Sequence, residues 1–542
     1  GYTATPTPAA TNEGITLTMH RLAAPEVAPE SQIFSGALSI TVDIPEGATL
    51  RYTMDGSTPS MENGRTSTTG KLSTSGTRVY RFALFQDGCL SSPVVTRSYI
   101  KRDKSFNIPV VSVVTDPDHL YDATIGFLTK GTNGRRGKGT SEYCNWNHDW
   151  DRPVNFEMLD PQTGKSLINM EADMSRCGGH SKGFTPFSFK IKAGKEYEGQ
   201  NYLDYQFFPD KPYLKHKALQ FRCGGNDYLC RIKDAALQSI VRTSGIDVDL
   251  QDYAPVCHYI NGEFMGTINM REPNNKHNVY ANHGLDDDEI DMYEIECDSG
   301  YVQMCGTRDA WQRLKELSAK ATDASTYEQI KNLLDIDECC NYMAIQLYLG
   351  NNDWPQNNLK AWRPIMENGK FRFIMFDLDF GFYNNNPFPA FTSRQWYTFC
   401  PLFDVPGVSN HTREVEIVPI FMNLLKNADF RRRFTDAFCI VAGSVFEPER
   451  SRKLVNRMVS TVEYMQTRES GYPDRNVSPR SSADEVINGL ANRAPMLYEA
   501  LQGFGSVGLS GSGQEVKLSA DTDVFNGYVG PAKALLQNMK IF

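Results

Sequence analysis

The chain contains no run of 18 apolar residues, which excludes a membrane-spanning helix. It contains no C-x-x-C pair. Its 12 cysteines are scattered, which excludes a zinc ribbon, and Cys223 with Cys230 and adjacent Cys339 and Cys340 read as core thiols. Positive charge is not in excess: 56 Lys and Arg stand against 65 Asp and Glu, a net charge of -9. That balance argues against a general binder of nucleic acid or anionic membrane. His180, His216, His258 and His277 are too dispersed to propose a metal cluster, and His258 reads as a packed strand residue. No signal peptide is visible. The start, GYTATPTPAATNEG, is small, polar and Pro-containing. It reads as a linker over residues 1–21 left after removal of a leader. The expected location is therefore secreted or cell-surface, with a lipid anchor as one form of attachment.

The 542 residues suffice for two or three domains and a sizeable core. Residues 22–101 hold four short β-like runs, at 38–42, 50–54, 78–85 and 94–100, split by Gly, Pro, Ser and Asp turns. Such punctuation predicts a small β-sandwich. Within it, Tyr52-Thr53-Met54-Asp55-Gly56-Ser57-Thr58-Pro59 resembles the Y-T-x-D-G-x-x-P signature of the Ig-like domain at the C-terminus of chitobiases and β-hexosaminidases. That resemblance implies a spacer or docking module, with contact to a cell-surface glycan as the alternative.

Residues 105 to about 300 read as α+β. A buried-strand pattern covers 108–114, and 154–158 alternates before a turn at Gly164. Gly178-Gly179 forms a glycine-rich loop ahead of a strand that carries Lys190 and Lys192. A loop of this kind can cradle phosphate through its N–H groups while a lysine reaches the same anion. A second glycine pair, Gly224-Gly225, leads into a helix near 232–243. Asn261-Gly262 joins two apolar runs as a hairpin that ends at Arg271-Glu272. From 308 to 350 the period becomes helical, with Asp335 and Glu338 as a capping box and Gly350 as the C-terminal cap. Helices are expected again over 410–505, where Arg431, Arg432 and Arg433 read as a solvated face. Residues 506–542 are Gly/Ser-rich and then β-like, with no role assigned.

The densest polar chemistry lies in residues 350–382. Asp353, Asn357, Asn358, Asp377 and Asp379 form two clusters on either side of a hairpin marked by Asn368-Gly369. A two-residue turn there pairs Glu367 with Lys370, and so sets Asp377 opposite Lys360 and Asp379 opposite Asn358. Hard oxygen ligands on two adjacent segments suit a divalent metal beside a phosphate. The D-x-x-x-x-N spacing of Asp353 and Asn358, followed by a hairpin that ends in Asp, is the arrangement protein kinases use.

The central region as a whole resembles the CotH family of atypical, secreted or spore-coat protein kinases. The matching features are Gly178-Gly179 before Phe189-Lys190, residues 219–227, Asn261-Gly262 with Gly266 and Glu272, Asn352-Asp353 with Asn358, and Asp377-Leu378-Asp379-Phe380-Gly381. They occur in the family's order over about residues 105–505. The resemblance implies an α+β chain: the small β-sandwich, then a distant protein-kinase-like two-lobed domain with a helical C-terminal part. It implies ATP with Mg or Mn, and transfer of the γ-phosphate to Ser or Thr of a partner protein. By that matching Asp353 is the base. Asn358, Asp377 and Asp379 hold metal, Gly178 and Gly179 line the nucleotide, and Lys190 with Glu272 forms the phosphate-side ion pair. Phe187 departs from the pattern, which often has a lysine there. That departure keeps open a chain that binds without transferring phosphate. A metal-dependent hydrolase built on the Asp cluster is a third reading.

Overall fold

Alternation at 38–42 and 78–85 puts every second side chain on one face, and those faces meet. The structure, a computed structural model, describes residues 20–501 except 138–141, 210, 212–213, 228–230, 297–299, 394–395, 399–411, 467–477 and 498–499. Apart from residues 20 and 21, the expected linker therefore lies outside the described residues, as do Cys230 and the 506–542 tail. Leu38–Val42, Thr49–Thr53, Arg78–Phe85 and Val95–Lys101 are all strands. A three-stranded and a five-stranded sheet enclose one core of Ile40, Val42, Leu50, Phe82 and Tyr99. This is a small β-sandwich.

Seven further strands close into a barrel, in the order Arg152–Leu159, Ser166–Arg176, Phe189–Lys192, Ala218–Arg222, Glu263–Arg271, Tyr253–Ile260, Val110–Val114. Neighbours run antiparallel, except that Val110–Val114 lies parallel to Tyr253–Ile260. Phe156, Met174, Phe189, Ile191 and Phe221 fill the interior. Their strand neighbours Lys190 and Arg222 therefore project outward. His258 is packed inside, accepted by the Gly266 carbonyl at 3.1 Å, and burial pushes its imidazole down to about 3. Asn261 and Gly262 both adopt positive φ, 49° and 83°, the two-residue turn that a hairpin favours.

The sandwich is seated on the barrel by the signature turn. Gly56 has φ 93°, and a Cβ there would lie 2.3 Å from the Thr115 carbonyl and 2.5 Å from Asn261 Oδ1. Asn261 in turn brackets Thr115, accepting from its N–H and donating to its C=O, both at 2.9 Å. Gly56→Ala is expected to cost about 1–3 kcal/mol at this contact. Its check is the urea midpoint together with the rate of protease cleavage in the 102–107 connection. Equal values for both proteins would show that the contact is dispensable. Glu157 of the barrel is fully buried beside sandwich Ser31 and Ser98.

The remaining lobe has its own core, built from a second five-stranded sheet and the helices. Lys233–Arg242, Ile336–Leu349, Ile417–Leu424, Ala428–Ile440, Pro448–Val462 and Pro479–Ala491 are helical. Asp335 caps Ile336–Leu349 through the Glu338 N–H, and Gly350 ends it at φ 60°. Glu338 does not complete the expected capping box. Its carboxylate accepts from the Phe373 N–H at 3.1 Å, and burial raises its carboxyl well above the ordinary range. Arg432 and Arg433 form ion pairs with Asp429, Asp436 and Asp337, as a solvated face does.

The hairpin register differs from expectation. Leu359–Pro364 and Arg372–Met375 pair Lys360 with Ile374 and Trp362 with Arg372, so residues 365–371 form a longer connection. Other chain segments take the backbone groups that a tight turn would use. The Ile365 N–H donates to Glu289 O at 2.9 Å, and the Phe371 N–H to Leu333 O at 2.7 Å. Asn368-Gly369 closes only a local turn onto Met366. Asp377 therefore does not face Lys360, nor Asp379 face Asn358, across the ladder.

Candidate active site

The two acidic clusters meet by another route. The Asn351 side chain donates to the Asp377 carbonyl at 3.3 Å, and the Asn352 N–H to the Phe380 carbonyl at 3.3 Å. These bonds tie the loop after Ile336–Leu349 to the end of the Arg372–Met375 strand. Within the loop, Asn357 and Asn358 donate to Asp353 Oδ2 at 3.0 and 2.9 Å. With Nδ2 of Asn358 turned to Asp353, its Oδ1 lies on the opposite side of the amide. Asn358, Asp377 and Phe382 have φ of 54°, 58° and 67°. Non-glycine residues in the left-handed region cost about 1–3 kcal/mol each and gather where geometry matters for function.

Asp377 and Asp379 are held from the barrel side. The Arg222 guanidinium bridges them, bonding Asp377 Oδ1 and reaching Asp379 Oδ2 at 3.2 Å. The Asn226 N–H also donates to Asp379 Oδ2, at 2.9 Å. Gly225 permits this approach: a Cβ there would lie 2.5 Å from Asp379 Oδ2, and its φ is 62°. Between the two aspartates, the Leu378 N–H donates to Asp234 Oδ1 at 2.8 Å. Asp234 also meets Arg271 at 2.5 Å. Three carboxylates thus share two guanidinium groups in a buried seam. Burial pushes the Asp379 carboxyl well above the ordinary range; Asp377 and Asp234 add to the rise and Arg222 opposes it. Burial also raises Asp234, but Arg271 and Arg222 outweigh it and hold that carboxyl well below the usual range. For Arg222, Asp377, Asp234 and Asp379 overcome the cost of burial and keep the guanidinium charged.

Asp379 is almost fully buried and engaged by Arg222 and Asn226, whereas the Asp377 side chain is about a quarter exposed, at 26%. Asp377 can face a ligand from this arrangement, and Asp379 supports it. The donor chemistry fits a hard cation: the Asp377 carboxylate, the Asn358 amide oxygen and water are all oxygen ligands. Among the described residues no group of three or more His, Cys, Asp and Glu could hold a metal. Mg²⁺ is commonly held by one or two carboxylates plus substrate phosphates rather than by a protein cage.

In the glycine-rich loop, Gly178 has φ 103° and Gly179 is also exposed; both precede a short 3-10 turn, His180–Gly183. Register sets Arg176 beside Phe189 and Phe189 beside Phe221, so this loop shares one barrel end with Arg222. The Lys190–Glu272 pair is not formed. Glu272 is fully buried and taken by Lys211 Nζ at 3.2 Å, the Asp252 N–H at 2.9 Å and Asn282 Nδ2 at 2.9 Å. Its place at the strand end brings it to those partners, on Asn282's helix and the loop bearing Lys211. The Lys190 charge is felt at Lys360 instead. Burial and Lys190 hold the Lys360 ammonium below its ordinary value, against Glu294 3.2 Å away. Arg222, Asn226, Asp234, Asn351 and Lys211 were not singled out from sequence, and Lys360 was placed opposite Asp377 instead of beside Glu294. Only Arg222 carried a signal, as an outward-facing basic residue beside a glycine pair.

A barrel lobe, a helical lobe and an Asp-Asn loop tied between them to an Asp-Leu-Asp segment make up a kinase-like fold. The family model for CotH kinase protein matches residues 176–492, more than half of the chain, and the chain belongs to the CotH kinase family. No curated protein matches it. Among solved structures, the Helicobacter pylori proinflammatory kinase CtkA is similar at 10% identity and a TM-score of 0.22, over 54% of this chain and 93% of that one.

Proposed function

We propose that this chain transfers the γ-phosphoryl group of ATP to a Ser or Thr hydroxyl of a partner protein. The observation that carries this reading is the Asp353–Asn358 pair, hydrogen-bonded at 2.9 Å on a loop that Asn351 ties to Asp377. Asp353 accepts the hydroxyl proton as the oxygen attacks phosphorus, and ADP leaves. Asn357 and Asn358 fix the carboxylate for that transfer. Asn358 Oδ1 and Asp377 would hold Mg²⁺ or Mn²⁺, which when bound neutralises phosphate oxygens. Arg222 and Asp379 position Asp377, and Lys190 lies on the phosphate side together with Gly178 and Gly179. Asp353→Asn and Asp377→Asn are each expected to reduce metal-dependent label transfer from γ-labelled ATP by on the order of a hundredfold. Their urea midpoints would report whether they fold. Transfer at the wild-type rate in both would overturn the assignment.

One observation favours a second reading, binding without transfer: Glu272 is committed to Lys211 and leaves Lys190 without it. Calorimetric binding of ATP with metal, without any label transfer, would select it.

A further inference from the structure

We propose that the cavity between the Phe189–Lys192 strand and the Lys276–His283 helix binds a phosphate-bearing anion. The cavity measures about 220 Å³ and is lined by Lys192, Lys217, Lys276, His277 and Tyr280, together with the carboxylates Asp286 and Asp287. Three lysines thus converge on it from three segments of the chain. Each has a carboxylate partner: Lys192 meets Asp151 at 2.5 Å, Lys217 meets Asp286, and Lys276 meets Asp287. Those carboxylates are 41%, 45% and 49% exposed, so each can turn into water when an anion arrives. Ion pairs of that exposure are worth little. Lys217 is only 14% exposed, and its ammonium also lies 4.2 Å from the Tyr280 ring centre.

His277 reports the field inside. Burial and four lysines, Lys276, Lys190, Lys217 and Lys192, push its imidazole down to about 4, so it sits neutral beside them. An anion there would take the place of Asp151, Asp286 and Asp287 as the acceptor of these lysines' N–H groups. The cavity is distinct from the Asp353–Asp377 site. Lys192 pairs with Ala218 on the strand that ends at Arg222, which sets the two ends about 13 Å apart at 3.3 Å per residue. The anion could be the phosphate tail of a nucleotide or a separate phosphorylated small molecule; the chemistry recognised is the same.

Pyrophosphate, without metal, is the probe for calorimetry on the full chain. Wild-type protein is expected to bind it. Lys217→Met and Lys276→Met should each weaken binding at least about tenfold, Lys217→Arg should retain it, and Asp377→Asn should leave it unchanged. The His277 imidazole, followed by NMR of labelled histidine, should rise in pKa as pyrophosphate binds. Displacement of pyrophosphate by ADP would identify a nucleotide tail as the source; persistence would identify a separate ligand. Absence of binding, equal binding by the lysine-to-methionine variants, or a His277 that does not respond would overturn the proposal.

Discussion

Asp234→Ala is expected to lower the free energy of unfolding by about 3–5 kcal/mol, because it strands a buried guanidinium. Arg271 is fully buried, and its charged partner is Asp234, at 2.5 Å. The cost extends past one pair. Asp234 also accepts the Leu378 N–H at 2.8 Å and Gln238 Nε2 at 2.9 Å, so its removal leaves three donors unsatisfied at the seam between the lobes. Leu378 separates Asp377 from Asp379. The same substitution should therefore loosen the Asp-Leu-Asp segment and depress any activity that depends on Asp377. Asp234→Leu combined with Arg271→Met separates the two effects. Removing both charges should restore much of the stability, since a buried pair replaced by apolar groups is often neutral, while the anchor on Leu378 stays lost. Urea midpoints of the single and double variants check the first claim. A single variant within about 1 kcal/mol of wild type would show that water or another carboxylate already compensates Arg271.

Sequence was most informative where local chemistry decides structure. The four sandwich runs, the Asn261-Gly262 turn, the Asp335 cap and the Gly350 stop all rest on contacts within a few residues, and each is present. The Asp353–Asn358 pair was legible for the same reason, because five residues in one loop fix its geometry. What escaped was set by distant partners. The Asn368-Gly369 hairpin slipped because Glu289 and Leu333 compete for its backbone. Glu272 went to Lys211, 61 positions away, because lysine choice is a matter of tertiary placement and not of motif order. Arg222 and Asp234 are ordinary residues of a strand end and a helix start; only the apposition of two lobes makes them the frame of the Asp-Leu-Asp segment.

Glu157→Gln should remove a pH dependence that wild-type stability carries through the neutral range. Glu157 is completely buried where the sandwich meets the barrel. Ser166 Oγ and Asn169 Nδ2 donate to its Oε1 at 2.8 and 3.1 Å. Across the seam, Ser98 Oγ donates to Ser112 Oγ at 2.9 Å, and within the sandwich the Ser98 N–H donates to Ser31 Oγ at 2.9 Å. Burial pushes the Glu157 carboxyl up to about 7; Ser166, Ser31, Ser98 and the Arg97 charge oppose that rise. Burial keeps the Tyr99 phenol above the ordinary range, and the Glu157 charge adds to that rise. The folded chain therefore holds the proton more tightly than the unfolded chain, whose carboxyl titrates near 4.5. As pH rises from about 4.5 to about 7 the unfolded chain releases its proton first, and stability falls. Above about 7 both states have lost it and the slope ends. That rise in pKa corresponds to about 3 kcal/mol at 1.36 kcal/mol per unit. Glutamine keeps the shape and the donor of the protonated form and does not titrate. The advantage of Glu157→Gln over wild type, read from urea midpoints, should therefore grow by about 3 kcal/mol between pH 4 and pH 8. Protease cleavage in the 102–107 connection of the wild type should accelerate over the same range. Parallel pH profiles for the two proteins would show that Glu157 titrates as an ordinary carboxylate, and that the seam does not sense its charge.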